Sequence, residues 1–355
     1  MLKPNATSEG RSWLRRRLRF SLKTFLAVFT ACALLMGFTV SKVRRQERAV
    51  AFFEKNGGQF AYDYQVSSSS VTGEFIYTNP VNSMPGPDWL RDWMGDHYFI
   101  SPIRLSIHRV GIHLGKVSSQ VVERFADLPS LQSLYFRQSD LTDESLSSMP
   151  SLGQLQYLTI ESSIRPGENK VVQDYSFLNR LPNLRVLSLP FSAFDDDDAS
   201  YLVNGGALLR LTLGDTAIGD EGLRVLKLQD VVLLKLPRTK VTDEGLSYLD
   251  SLSELQHLDL NGTTITDDGL AHLSSLPKLR YLSLVDTAIS DAGVKHLREI
   301  KGLTRLNLIS TKISETGIST LYDSLPNCRI RVVWGRGWVR KEESGSQKLG
   351  LNSSP

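Results

Sequence analysis

The chain has 355 residues, with 41 lysines and arginines against 38 aspartates and glutamates and a formal net charge of +3. That small excess, concentrated near the N-terminus, argues against nucleic-acid binding, which relies on a broad cationic surface. Two cysteines, Cys32 in an apolar run and Cys328 near the other end, exclude a disulfide framework and leave the redox compartment open.

Residues 1–19 are a basic tail carrying Lys3, Arg11, Arg15, Arg16, Arg17 and Arg19. Residues 20–40, from Phe20 to Val40, are almost wholly apolar, and as a helix they would extend about 30 Å, the thickness of a bilayer core. Lys23 lies near one end, where its ammonium can reach the interface. The run is read as a transmembrane anchor. The alternatives are a cleaved signal peptide, against which no small-x-small site follows, and a buried helix. Lys42, Arg44, Arg45, Arg48 and Lys55 follow it, but the larger basic excess precedes it. This asymmetry predicts a single-pass protein of the cytoplasmic membrane, N-terminus inside and the remaining chain on the non-cytoplasmic side.

Residues 41–83 form a juxtamembrane region. A helix is predicted over 43–55, with Val50, Phe52 and Phe53 apolar, breaking at Gly57 and Gly58; strands follow at 59–64 and 74–77 around a serine-rich turn. Residues 84–106, with Trp89, Trp93 and Phe99, are predicted to fold as a helical cap over what comes next.

What comes next is a repeat. A Leu-x-x-Leu-x-Leu core begins at Ile107, Leu131, Leu155, Leu184, Leu208, Val231, Leu255, Leu279 and Leu303, with steps of 24, 24, 29, 24, 23, 24, 24 and 24 residues. In Leu255-Gln-His-Leu258-Asp-Leu260 the leucines alternate inward and the residues between them outward, as a strand requires. Three residues after the last core leucine stands a hydroxyl residue: Ser139, Ser163, Ser192, Thr216, Thr239, Thr263, Thr287 and Thr311. These predict a ladder that satisfies backbone groups at each turn, with Gly115 interrupting it in the first copy. A helix start follows, as in Ile265-Thr-Asp-Asp-Gly-Leu270 and Val241-Thr-Asp-Glu-Gly-Leu246, whose threonine or aspartate caps the first turn while the acids favour its positive end. Leu270 and Leu273 make the buried stripe, and Pro277, Pro182 or Pro150 ends the segment. The long step places an insertion near Arg165 to Lys170, a surface loop. Ile330, Val332 and Val333 are read as a closing strand, and residues 334–355 as a disordered tail.

These residues resemble the leucine-rich-repeat family, in the helix-bearing subtype of ribonuclease-inhibitor-like and F-box adaptor proteins, over residues 107 to about 333. The resemblance implies an α/β solenoid of about nine copies, with a parallel sheet on the concave face and helices on the convex face. The basic helix, Gly-Gly pair and tyrosine-containing strand resemble the juxtamembrane block of bacterial membrane-anchored repeat proteins. No F-box-like domain precedes the repeats.

No convergent set of catalytic groups is found: there is no Gly-x-Ser-x-Gly, His-Glu-x-x-His or phosphate loop, and no cofactor is expected. His272 and His296 are one copy apart, about 10 Å on packed helices, too far for one metal. The acidic run Asp195 to Asp198 falls on a helix start and is read as a cap rather than a calcium site. The outward strand positions are read as the binding surface: Tyr135, Arg137, Tyr157, Arg210, Lys235, His257, Asp259, Tyr281 and Arg305. Solenoids use such faces for extended partners, and tyrosine and arginine are favoured at hot spots. The expected partner is a protein or other macromolecular ligand. A cytoplasm-facing adaptor and an envelope protein binding cell-wall polysaccharide are the alternatives.

Overall fold

The computed structural model describes residues 22–55, 58–62, 66–68, 75–77, 102–108, 117–137, 141–161, 172–203, 205, 207–226, 228–334 and 337–339. Its first element is one uninterrupted 34-residue helix, α1 (Leu22–Lys55). The segment holds no proline and a single glycine, Gly37, so nothing breaks it between the apolar run and the basic stretch. The two helices expected at 20–40 and 43–55 are therefore one rod, about 51 Å long at about 1.5 Å per residue.

The strands are β1 (Gly58–Tyr62), β2 (Val66–Ser68), β3 (Phe75–Tyr77), β4 (Pro102–His108), β5 (Ser133–Arg137), β6 (Tyr157–Glu161) and β7 (Val186–Ser188). Then come β8 (Arg210–Thr212), β9 (Leu233–Lys235), β10 (His257–Asp259), β11 (Tyr281–Ser283), β12 (Arg305–Asn307), β13 (Arg329–Trp334) and β14 (Gly337–Val339). Apart from the β2–β3 hairpin, they form one twelve-stranded sheet in chain order. β4 to β13 run parallel, each to the next. β1 and β14 close the two edges antiparallel. Each return path is brief: helices such as Asp243–Ser247 and Leu270–Leu273, or 3-10 turns such as Ser176–Arg180, and only the last, Glu315–Ser324, reaches 10 residues. This is a leucine-rich-repeat solenoid.

Two details differ from the sequence reading. Ile107 lies opposite Phe136 and Leu105 opposite Leu134, so Ile107 holds the third apolar position of its copy and that copy begins at Pro102. The expected register is thus two apolar positions off, since Ile107, Val110 and Ile112 reproduce the same spacing in the sequence as Leu131, Leu134 and Phe136. At the other end the sheet extends into the stretch expected to be disordered, since Val332, Val333 and Trp334 pair with residues 337–339 and give the parallel sheet an antiparallel edge.

The core is a column of rows. Leu134, Leu158, Leu187, Leu211, Leu234, Leu258, Leu282, Leu306 and Ile330 face one another strand by strand and are all buried. Each such side chain contributes about 1.5–3 kcal/mol on burial, and no copy can bury its own row without neighbours.

Where the chain leaves the strand, six consecutive copies turn the same way. Phe191, Asp215, Arg238, Gly262, Asp286 and Ser310 all have φ between 52° and 65°, the left-handed region. The next residue is in each case the expected hydroxyl. Ser192, Thr216, Thr239, Thr263, Thr287 and Thr311 donate at 2.7–2.8 Å to the carbonyl of the last core leucine, Leu189, Leu213, Leu236, Leu260, Leu284 and Leu308 respectively. The hydroxyl gives that carbonyl a short partner, joined at Leu260 and Leu308 by the longer N–H contacts of Thr263 and Thr311, and so helps hold the turn in its left-handed conformation. Ser139, Ser163 and Gly115 lie outside the described residues.

The acids of the helix starts act differently from the expectation. Caps come from Thr142, Thr242, Ser290 and Ser314, whose side chains accept N–H groups of their own helices or turns. The aspartates reach forward instead. Asp220 accepts from the Thr242 N–H at 2.8 Å and the Thr242 hydroxyl at 2.6 Å. Asp243 does the same to Thr266, Asp267 to Ser290 and Asp291 to Ser314. Three of these four partners, Thr242, Ser290 and Ser314, are themselves caps, so one copy fixes the cap residue of the next.

The acidic run belongs to this scheme. Asp195 accepts from the Asp197 and Asp198 N–H groups, Asp198 accepts from the Asp195 N–H, and Asp196 reaches forward to the Gly219 N–H at 2.6 Å. Burial, with Asp195, Asp174 and Asp197 nearby, pushes the Asp198 carboxyl up to about 6.

The open N-terminal end is covered by α1. Ala49, Val50 and Phe53 are buried there, Phe53 stacks on Phe125 with centroids 5.3 Å apart, and the Arg124 guanidinium lies 4.7 Å over the Phe52 ring. The expected cap with Trp89, Trp93 and Phe99 lies outside the described residues.

Candidate binding face

Strand register decides which side chains share the concave surface. One outward row runs Ser133, Tyr157, Val186, Arg210, Leu233, His257, Tyr281, Arg305, Arg329, and its neighbour runs Tyr135, Thr159, Ser188, Thr212, Lys235, Asp259, Ser283, Asn307, Arg331. Tyr157, Arg210, His257, Tyr281 and Arg305 thus stand in one row, with Tyr135, Lys235 and Asp259 in the other. Arg137 lies two residues beyond Tyr135, beside Glu161, with Nε 3.6 Å from the carboxylate.

The surface has two halves. From β5 to β7 it presents Tyr135 and Tyr157 among small hydroxyl residues and Val186. Partial burial raises the Tyr157 hydroxyl, opposed by the charges of Arg185 and Arg210. From β8 to β13 it is basic. The His257 ring lies against Tyr281, centroids 5.9 Å apart and planes 28° apart. Loss of water on that side lowers the imidazole, and Arg210, Lys235 and Arg305 lower it further. Asp259 is the acid in these rows. Burial raises its carboxyl against the opposing effects of the Asn261 N–H, 3.1 Å away, and of Lys235 and Arg238.

Two outward positions are not open. Ser283 is fully buried, its hydroxyl donating to Asn261 Oδ1 at 2.7 Å, and Ser133 is nearly so. Sequence reasoning passed over Arg329 and Arg331, both exposed on β13. Ile330 pointing inward is the signal that places its two neighbours outward. The apolar outward residues Val186 and Leu233 were also passed over, because they match no polar alternation.

The other polar groups make local contacts. His272 Nδ1 is 3.2 Å from Asp250, Lys278 reaches Glu254 at 2.7 Å, and Arg238 forms two 2.6 Å hydrogen bonds with Asp215 across adjacent turns. Among the described residues no three histidine, cysteine or acidic side chains are grouped to hold a metal ion. The insertion near Arg165 to Lys170 lies outside them.

The family model described as Leucine Rich repeat matches residues 253–274 and 275–297. No curated protein matches the chain significantly. Among solved structures, an internalin (inlF) from Listeria monocytogenes is similar at 20% identity and a TM-score of 0.47, over 61% of this chain and 64% of that one. An internalin C2 (inlC2) of the same organism has 21% identity and a TM-score of 0.40, over 65% and 81%. Listeria monocytogenes InlP has 15% identity and a TM-score of 0.42, over 65% and 60%. The chain thus spans just under two thirds of the inlF structure.

Proposed function

We propose that this chain is a non-enzymatic, membrane-anchored binding protein of a bacterium, whose solenoid takes a protein or other macromolecular ligand on its concave face outside the cytoplasmic membrane. The observation that carries the reading is the register: Tyr157, Arg210, His257, Tyr281 and Arg305 form a single outward row across seven adjacent strands, β6 to β12. At about 4.8 Å per strand that row is about 29 Å long, the scale of an interface with an extended partner.

The anchor rests on α1. Among the described residues one helix is long and apolar enough to cross a membrane. Its Phe25, Phe29, Leu34, Leu35, Met36 and Phe38 are all at least 60% exposed, a density of apolar surface that water disfavours and lipid does not. The basic excess before the run supports repeats on the non-cytoplasmic side.

The test is crosslinking capture by the full-length chain. Tyr157→Ala and Tyr281→Ala each weaken capture by more than about 1 kcal/mol, while Lys295→Ala and His296→Ala on the convex side leave it unchanged. The reverse pattern would move the site to the convex face. Retention in membranes after a carbonate wash and cleavage of the repeats in spheroplasts test anchor and side. Repeats protected in spheroplasts would favour a cytoplasm-facing adaptor, and capture of glycan in place of protein would favour an envelope protein binding cell-wall polysaccharide.

A further inference from the structure

Most cations in the ion pairs of this solenoid lie off the C-terminal half of the concave face. Arg224 pairs with Glu221, Lys278 with Glu254, Arg298 with Glu299, Arg238 with Asp215 and Arg137 with Glu161. The strands β8 to β13 present five basic side chains, Arg210, Lys235, Arg305, Arg329 and Arg331, around His257, with Asp259 as the acid in the same two rows. Among the described residues no carboxylate forms an ion pair with Lys235, Arg305 or Arg329, although all three are exposed. Like charges kept close together on one surface repel, and a partner of opposite sign relieves that cost.

The spacing is regular as well. In the first outward row Arg210 and Arg305 stand on alternate strands either side of His257, and Leu233 and Tyr281 stand between them. The His257 imidazole is held below its ordinary range by burial and the neighbouring cations, so that it offers a ring N–H rather than a charge at neutral pH. Alternate strands are about 9.6 Å apart. An extended chain in the polyproline II conformation repeats its side-chain direction every three residues, about 9.3 Å. The two periods match, and apolar residues of such a chain would fall on Leu233 and Tyr281.

We propose that the β8–β13 half of the concave face binds an extended, acidic protein segment that carries a carboxylate at every third residue and crosses the strands along the solenoid axis. This rests on the concave-face reading above and names the partner's chemistry. The Tyr135 and Tyr157 half, which lacks this charge, would receive flanking residues.

The experiment uses the full-length chain in detergent micelles and fluorescent peptides of four Glu-Pro-Pro repeats. Matched peptides contain glutamine in place of glutamate, or the same four glutamates placed contiguously; dextran sulfate is the competitor of a different class. The expected result is binding of the Glu-Pro-Pro peptide at least about tenfold tighter than either matched peptide. Arg305→Glu and Arg329→Glu should each weaken it by about tenfold, the scale of one interface hot-spot residue, and rising salt should weaken it further. Unchanged thermal melts of both variants show that the fold persists. Equal binding of the glutamate and glutamine peptides, indifference to charge reversal, or equal binding of the contiguous isomer overturns the proposal. So does a clear preference for dextran sulfate, which would assign the face to a sulfated polysaccharide. In the crosslinking capture, loss with Tyr157→Ala but not with Arg305→Glu would leave the concave-face reading standing and remove this inference; loss with neither removes both.

Discussion

At the scale of single residues, the Asp-x-Gly pattern shows how one copy constrains the next. The carboxylate of Asp220 reaches across to Thr242 and occupies the space beside Gly245, where an added Cβ would fall inside van der Waals contact of Oδ1. Glycine is required there by a neighbour, not by its own backbone angles. At Gly262, with φ of 65°, the backbone itself favours glycine. Gly245→Ala should therefore cost about 1–3 kcal/mol, the range for overpacking, and Asp220→Ala a similar amount through its lost hydrogen bonds. Because both act through one carboxylate, the double variant should be less destabilised than the sum of the two, with a coupling of at least about 0.5 kcal/mol. Thermal melts of the four proteins read this directly; strict additivity would mean that the carboxylate does not set the glycine.

At the scale of elements, the solenoid depends on its end. Phe53 from α1 stacks on Phe125, which meets Phe136 of β5 at 6.1 Å, so an aromatic chain leads from the helix into the first rows of the core. Phe53→Ala should cost about 3–5 kcal/mol locally. In a stack held by nearest-neighbour contacts, the loss should appear as faster amide exchange in β5 and β6 while β11 and β12 keep their protection; uniform exchange along the sheet would show that α1 is not the cap. The strands themselves were legible in the sequence because the leucine spacing and the hydroxyl three residues later are local signals repeated many times. The forward reach of the aspartates was not, since a carboxylate one residue past a cap looks the same whether it serves its own helix or the next copy. The start of the array is displaced because Ile107, Val110 and Ile112 satisfy the Leu-x-x-Leu-x-Leu spacing, so the pattern alone makes Ile107 first where strand pairing makes it third. On the concave face, the row from Tyr157 to Arg305 followed from the period of two, whereas Arg329 and Arg331 were hidden in a strand noted for its inward residues Ile330 and Val332.

At the scale of the whole molecule, the apolar run and the solenoid cap share one helix, and with that run in a bilayer the continuity would set where the proposed binding face stands. The strongly apolar stretch ends at Val40, and the first buried cap residue is Gln46. At about 1.5 Å per residue the two are about 9 Å apart along the axis, against a headgroup layer of about 5–7 Å on each side of the bilayer core. The turn between them exposes Lys42, Arg44 and Arg45, long side chains whose charged ends can reach a headgroup layer. With α1 in a bilayer, the first copies would thus lie against the lipid surface, held by a helix rather than a flexible linker. Inserting seven helix-forming residues after Arg45 should raise the solenoid by about 10 Å and rotate it little, since seven residues are close to two full turns. Energy transfer from a dye on β5 to labelled headgroups in reconstituted vesicles should fall accordingly, while a Gly-Ser insertion of equal length should broaden the distance distribution instead of shifting it. If both insertions gave the same broad distribution, α1 would not be a continuous support in the membrane, and the height of the concave face would not be fixed by it.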